Sequence, residues 1–208
     1  SNIIENYLKE MNVKIYKGVS VEKIIGKDRV EEIVLTDGIT LNTDMVVLAI
    51  GSTPRVELTS KIGAKTVEGI IDVNRYMETS ITNIYAAGDC TYSWDLLTGG
   101  KVYIPTASTA STFGKIAGMN AVGKTIEAPK IIRTQYERFF ELEIISAGYT
   151  SEEARERNLN AKHLDLTSEF ISRYGLWKSY LLKLDVVLGP KDKIIGVGAI
   201  GLGNIRLI

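Results

Sequence analysis

One cysteine, Cys90, and one histidine, His163, are all that these 208 residues contain of the two side chains that most often hold zinc. An internal disulfide is impossible, so the chain fits a reducing, cytoplasmic setting. So few thiols and imidazoles also argue against a structural zinc site, and no metal is expected. Net charge is missing as well: 25 basic side chains balance 25 acidic ones. That leaves no electrostatic footprint for nucleic acid or an anionic membrane. No apolar run reaches the length of a membrane span. The first ten residues, SNIIENYLKE, are polar and amphipathic, so no secretory leader is expected there. His163 leaves a Ser-His-Asp arrangement open by counting, but no G-x-S-x-G elbow supports it. Internal repeats and low-complexity segments are absent too.

What is present reads as a globular chain, 45% hydrophobic and 24% charged, enough for a core of useful size. Ile4, Tyr7, Leu8 and Met11 recur at helical spacing and predict a first helix. Short strands follow, punctuated by Gly18, by Gly26 to Asp28, and by Asp37-Gly38, a hairpin signal. Met45 to Ile50 is continuously apolar and predicts a strand buried on both faces. It stops at Gly51-Ser-Thr-Pro54, where glycine and proline turn the chain out of a sheet. Ile70–Val73 and Ile84–Ala87 predict two further strands, and TYSWDLLTGGK an irregular polar stretch.

A helix is predicted from near Pro105, proline being favoured in a first turn. One face carries Ala107, Ala110, Phe113, Gly114 and Ala117, nearly all small, and Gly123 is the expected stop. From about residue 125 the texture changes to an α+β domain on an antiparallel sheet. Thr150-Ser-Glu-Glu153 is a capping box that opens a short helix. Residues 180–188 and 193–200 form strands about a turn at Gly189-Pro-Lys-Asp192.

Two glycine patterns compete for a cofactor. Gly196-Val-Gly198-Ala-Ile-Gly201 matches the dinucleotide fingerprint, but the residues after it leave no room for the phosphate-binding helix and the acid that follows. It reads as small residues in a tightly packed strand. Gly88-Asp89, at the end of an apolar strand and ahead of the small-faced helix, carries more. Gly88 admits a ligand close to the backbone. Asp89 accepts hydrogen bonds from a sugar or polyol hydroxyl, and the helix N-terminus favours negative charge. On residue types alone, a turn-capping role for Asp89 stands level with this one.

Three stretches in order, VVLAIGSTPRVEL, GIIDVNRYMETSITNIYAAGDC and YIPTASTASTFGKIAGMNAVGK, resemble the FAD-dependent pyridine nucleotide-disulfide oxidoreductases, above all the coenzyme A disulfide reductase and NADH oxidase branch. The resemblance implies an α/β fold: second halves of NAD(P)- and FAD-binding Rossmann-like domains (residues 1–48 and 49–124), then an α+β interface domain (125–208) through which two copies dimerise. It implies electron flow from NAD(P)H through FAD to a disulfide, a peroxide or oxygen. By match, Asp89 with Gly88 takes the ribityl chain, and the backbone around Pro105, Thr106 and Ala107 faces the flavin pyrimidine. Gly51 and Pro54 lie in the link between the nucleotide domains. RYGLWKSYLLKL resembles a region lining the partner's active site, and Tyr174 within it is the one catalytic candidate. The family's two glycine fingerprints and its redox cysteine have no match here, so the chain is expected to be a C-terminal fragment, with Cys90 not the redox cysteine. Two other readings remain: a non-catalytic dimerisation or docking module with a degenerate flavin site, and a ferredoxin or rubredoxin reductase relative.

Overall fold

The computed structural model describes residues 2–170 and 180–202. The chain divides into two compact units, Ser1–Thr53 and Pro54–Ile208.

The first unit holds α1 (Asn2–Glu10) and an antiparallel sheet of β1 (Val21–Ile25), β2 (Glu32–Leu35) and β3 (Thr40–Asn42). Glu5 in the first turn of α1 and Lys9 in its last turn both complement the helix dipole. The β2–β3 hairpin forms at Asp37-Gly38 as expected. Gly38 takes φ +86°, a region open mainly to glycine, and its N–H donates to the Leu35 carbonyl at 2.9 Å. The run Met45–Ile50 departs from expectation. It forms no strand, and Met45, Val47, Leu48 and Ile50 are 69–89% exposed. An apolar run becomes a buried strand only where neighbouring strands take its backbone groups, and the sheet of this unit ends at β3.

The second unit opens with α2 (Glu57–Lys61) and the small hairpin β4 (Thr66–Val67) and β5 (Ile70–Ile71). β6 (Ser93–Trp94) and β7 (Lys101–Val102) make another. The stretch TYSWDLLTGGK, expected to be irregular, is thus an ordered hairpin whose residues 91–95 are all buried. Asp95 orders its turn. Its carboxylate accepts from Leu97 N–H at 3.0 Å, from Thr98 Oγ1 at 2.8 Å and from the Tyr149 hydroxyl. Burial alone would raise the Asp95 carboxyl, yet these donors hold it below the ordinary aspartate value.

α3 (Ala107–Ala121) turns Phe113, Ile116, Ala117 and Asn120 inward. Phe113, Ile116 and Ala117 pack with Ile71, Val73, Met77, Trp94 and Ala128 into the core. The helix stops where Gly123, at φ +90°, donates to Asn120 O and Lys124 N–H reaches Met119 O. The helix, expected to start near Pro105, begins at Ala107: Thr106 is the extended N-cap, and Pro105 precedes it.

A five-stranded antiparallel sheet follows, in the order β10 (Lys162–Phe170), β11 (Tyr180–Leu188), β12 (Ile194–Leu202), β9 (Leu142–Gly148) and β8 (Thr134–Phe139). The predicted capping box opens α4 (Ser151–Glu156): Thr150 Oγ1 accepts from Glu153 N–H, and the Glu153 carboxylate accepts from Thr150 N–H. The fingerprint-like glycines lie in β12, where Gly196 pairs with Gly148. A Cβ on Gly196 would stand 1.7 Å from the Tyr149 carbonyl oxygen. Close backbone approach accounts for that glycine without a nucleotide.

Candidate functional site

The segment leading to Gly88 is extended but is not the strand expected over Ile84–Ala87. Only Tyr85 makes a bridge, to Glu78. Two backbone bonds fix the segment instead, Thr79 N–H to Ile84 O at 2.8 Å and Ala86 N–H to Met77 O at 3.0 Å. It is a hairpin arm short of a sheet partner on its far side, so its apolar residues are only half-buried.

Gly88 to Thr91 then close a tight turn. Thr91 N–H and its hydroxyl both donate to the Gly88 carbonyl, at 3.1 and 3.0 Å. Gly88 stands at φ +99°, and a Cβ built on it would lie 3.8 Å from Ala110 Cβ in the first turns of α3. The turn therefore sits against the N-terminal part of that helix. Asp89 is exposed at the turn. Its carbonyl accepts from the Tyr103 hydroxyl at 2.8 Å, whereas its carboxylate takes part in no hydrogen bond or ion pair among the described residues. An acid that capped this turn would accept a backbone N–H; Asp89 accepts none.

Cys90 is half-buried, with its thiol directed at the Ala87 carbonyl (3.6 Å). Burial raises its pKa above the ordinary thiol value, and the Asp89 carboxylate raises it further. Tyr103 is likewise pushed up, by burial first and then by Asp89 and Cys90.

Thr106 has extended angles and makes no side-chain cap; its hydroxyl donates to Thr109 Oγ1 at 2.9 Å. The N–H groups of the first turn, starting at Ala107, are thereby left open toward an acceptor. Ala107 itself is exposed and Ala110 half-buried, so this end of α3 carries little bulk. A cavity of about 250 Å³ runs beside it, lined in part by Thr106, Ser108, Thr109 and Thr112, though Asp89 does not line it.

The structure thus brings Gly88, Asp89, Pro105, Thr106 and Ala107 into one neighbourhood through Ala110 and Tyr103. Gly51 belongs to the first unit, at φ +94°, and Pro54 begins the second. Tyr174 lies outside the described residues. Sequence reasoning passed over Tyr103, because nothing in YIPTAS marks a hydroxyl that reaches back fourteen residues to a main-chain carbonyl. An open carboxylate, a glycine that admits close approach and an uncapped helix N-terminus fit a ligand with both hydroxyl and anionic or carbonyl groups, such as the ribityl-isoalloxazine half of FAD.

Comparison with known proteins agrees. The family model for pyridine nucleotide-disulphide oxidoreductases matches residues 1–114. A CoA-dependent NAD(P)H sulfur oxidoreductase of Pyrococcus furiosus is 34% identical over 204 residues, 97% of this chain and 45% of that protein. An NADH oxidase of Methanocaldococcus jannaschii is 37% identical over 151 residues, 73% of this chain and 34% of its own. Among solved structures, an NAD-dependent persulfide reductase from A. fulgidus superposes with a TM-score of 0.86 at 31% identity, covering 99% of this chain and 38% of that one. The chain spans less than half the length of these relatives. With a matching family model over more than half its residues and this level of identity over nearly all of them, the chain belongs to the pyridine nucleotide-disulphide oxidoreductase family.

Proposed function

We infer that this chain supplies the ribityl- and pyrimidine-binding half of the flavin site in an NAD(P)H oxidoreductase. When bound, FAD supplies two-electron chemistry between a nicotinamide and a small-molecule acceptor. The relatives named above favour a persulfide or another sulfur compound, or oxygen, as that acceptor, and the sequence resemblance adds coenzyme A disulfide. The chain's own residues bind and orient. Asp89 accepts from a ribityl hydroxyl, Gly88 lets the ligand reach the backbone, and the N–H groups after Thr106 favour negative charge at the pyrimidine edge. Tyr103 holds the Asp89 main chain in place. Residues 1–48 are assigned to the NAD(P)H domain, 49–124 to the FAD domain and 125–208 to an interface domain that joins two copies. The single cysteine and the absence, among the described residues, of a helix long and apolar enough to cross a membrane support a cytoplasmic setting.

The observation that carries this reading is the exposed Asp89 carboxylate with no partner in its own turn. Hydrogen bonds to charged groups contribute roughly 1.5–3 kcal/mol. Asp89→Ala in the full-length protein is therefore expected to weaken FAD binding on the order of 10- to 100-fold. Asp89→Asn, whose amide oxygen still accepts, is expected to lose less. Titration of the apo-protein with FAD separates the three forms, and equal dissociation constants overturn the assignment.

A further inference from the structure

Tyr149 stands just past β9, where the five-stranded sheet gives way to α4, and several contacts fix it there. Its N–H donates to the Ile195 carbonyl at 3.0 Å, and its own carbonyl abuts Gly196. The Arg157 guanidinium lies 5.1 Å from the centre of its ring, a cation–π contact that keeps the ring in one orientation. The hydroxyl of this fixed ring leaves its own neighbourhood in sequence and donates to the Asp95 carboxylate, 54 residues back. Burial first, and then that bond, push the Tyr149 hydroxyl above the ordinary tyrosine value, so it keeps the proton that it donates.

Asp95 joins the two strands of the β6–β7 hairpin. Besides the carboxylate bonds to Leu97 and Thr98, its N–H donates to the Gly100 carbonyl at 2.9 Å, and its own carbonyl accepts from Gly99 N–H at 2.8 Å. Among the described residues, Tyr149 is the one donor to this carboxylate from outside the loop. Asp95 is 8% exposed, so losing that donor would leave a buried charge short of a partner. The outgoing strand is also tied to Ile131, through Leu96 N–H and the Trp94 carbonyl, both at 2.8 Å. Apart from the Lys101–Asp72 ion pair, the return strand rests on the loop that Asp95 orders. That strand matters to the flavin half-site. β7 ends at Val102, and the next residue, Tyr103, donates to the Asp89 carbonyl at 2.8 Å. The hairpin also starts two residues after the Gly88–Thr91 turn, so Asp89 is held from both ends of one element.

We propose that Tyr149 is a positioning residue for the flavin half-site: its hydroxyl sets the β6–β7 hairpin and, through Tyr103, the main chain of Asp89. The inference rests on the assignment of Asp89 to the ribityl chain. A binding group is held to a productive geometry by supporting side chains whose own rotamers are locked. Tyr149 is such a support, rooted in the antiparallel sheet rather than in the segment that carries Asp89. The sheet domain thereby bears on how tightly the cofactor is held.

The test is titration of the full-length apo-protein with FAD for Tyr149→Phe, Asp89→Ala and the two combined, a double-mutant cycle. Phenylalanine keeps the ring beside Arg157 and removes the hydroxyl alone. Tyr149→Phe is expected to raise the FAD dissociation constant several-fold when Asp89 is present. It should change it little once residue 89 is alanine, because the hydroxyl acts through Asp89. At saturating FAD, the visible circular dichroism of the bound flavin should differ from wild type, which lost stability alone would not produce. An unchanged dissociation constant with a lower urea midpoint, or an equal loss in both backgrounds, overturns the proposal and leaves the Asp89 assignment standing. If Asp89→Ala itself binds FAD as wild type does, assignment and proposal fall together. Should Tyr149→Phe not fold, Asp95→Asn takes its place in the cycle with the same outcomes, since its amide keeps an acceptor for the loop and loses the charge that draws the hydroxyl.

Discussion

Cys90 and Asp89 are neighbours with opposite fates. The carboxylate is exposed and unpaired, while the thiol is half-buried and pushed toward its neutral form by burial and by that carboxylate. A redox cysteine works as the thiolate, so Cys90→Ser in the full-length enzyme should leave turnover with NAD(P)H essentially unchanged and FAD bound. Loss of turnover with flavin retained would make Cys90 a participant. This much could be read from sequence, because adjacency in the chain guarantees the Asp89–Cys90 repulsion. Tyr103 could not, since its bond to the Asp89 carbonyl depends on how the β6–β7 hairpin returns toward α3. Residue types carry chemistry; long-range hydrogen bonds come only with the fold.

At the scale of the element, α3 is tied at its C-terminal end chiefly through one of its own side chains. Asn120, 5% exposed, donates to the carbonyls of Tyr76 and Ile126 and accepts from Ile126 N–H. Asn120→Ala strands these buried backbone groups and should cost on the order of 3 kcal/mol, read as a lower midpoint in urea unfolding of the purified chain. Asn120→Asp sets a buried carboxylate against the Tyr76 and Ile126 carbonyls and should be at least as destabilising as alanine. Helix ends were legible in advance, since the Gly123 stop and the Thr150–Glu153 box are local chemistry. Strands were less so. Ile84–Ala87 and Met45–Ile50 have strand composition, yet strand formation needs partners, and hydrophobicity alone does not say whether they are at hand. The β6–β7 hairpin erred the other way: a polar stretch is ordered because Asp95 satisfies its turn.

For the molecule as a whole, the antiparallel sheet and the break near residue 53 separate two kinds of packing. The second unit has a contiguous core, whereas Leu35 is the one buried apolar side chain of the first among the described residues. On the proposed assignment, which gives these residues only the ribityl- and pyrimidine-facing groups, the isolated chain should leave gel filtration colourless after incubation with FAD. A stoichiometric yellow fraction would mean that it holds more of the cofactor site than Gly88 to Ala107 provide. The glycines of β12 bear on how such a protein tolerates change. Any side chain at Gly196 must displace the Tyr149 carbonyl, so a randomised library selected for folding alone would return glycine there. A reader of that library would see an invariant glycine at the head of a dinucleotide-like pattern, and would be looking at the imprint of one peptide group pressed against another.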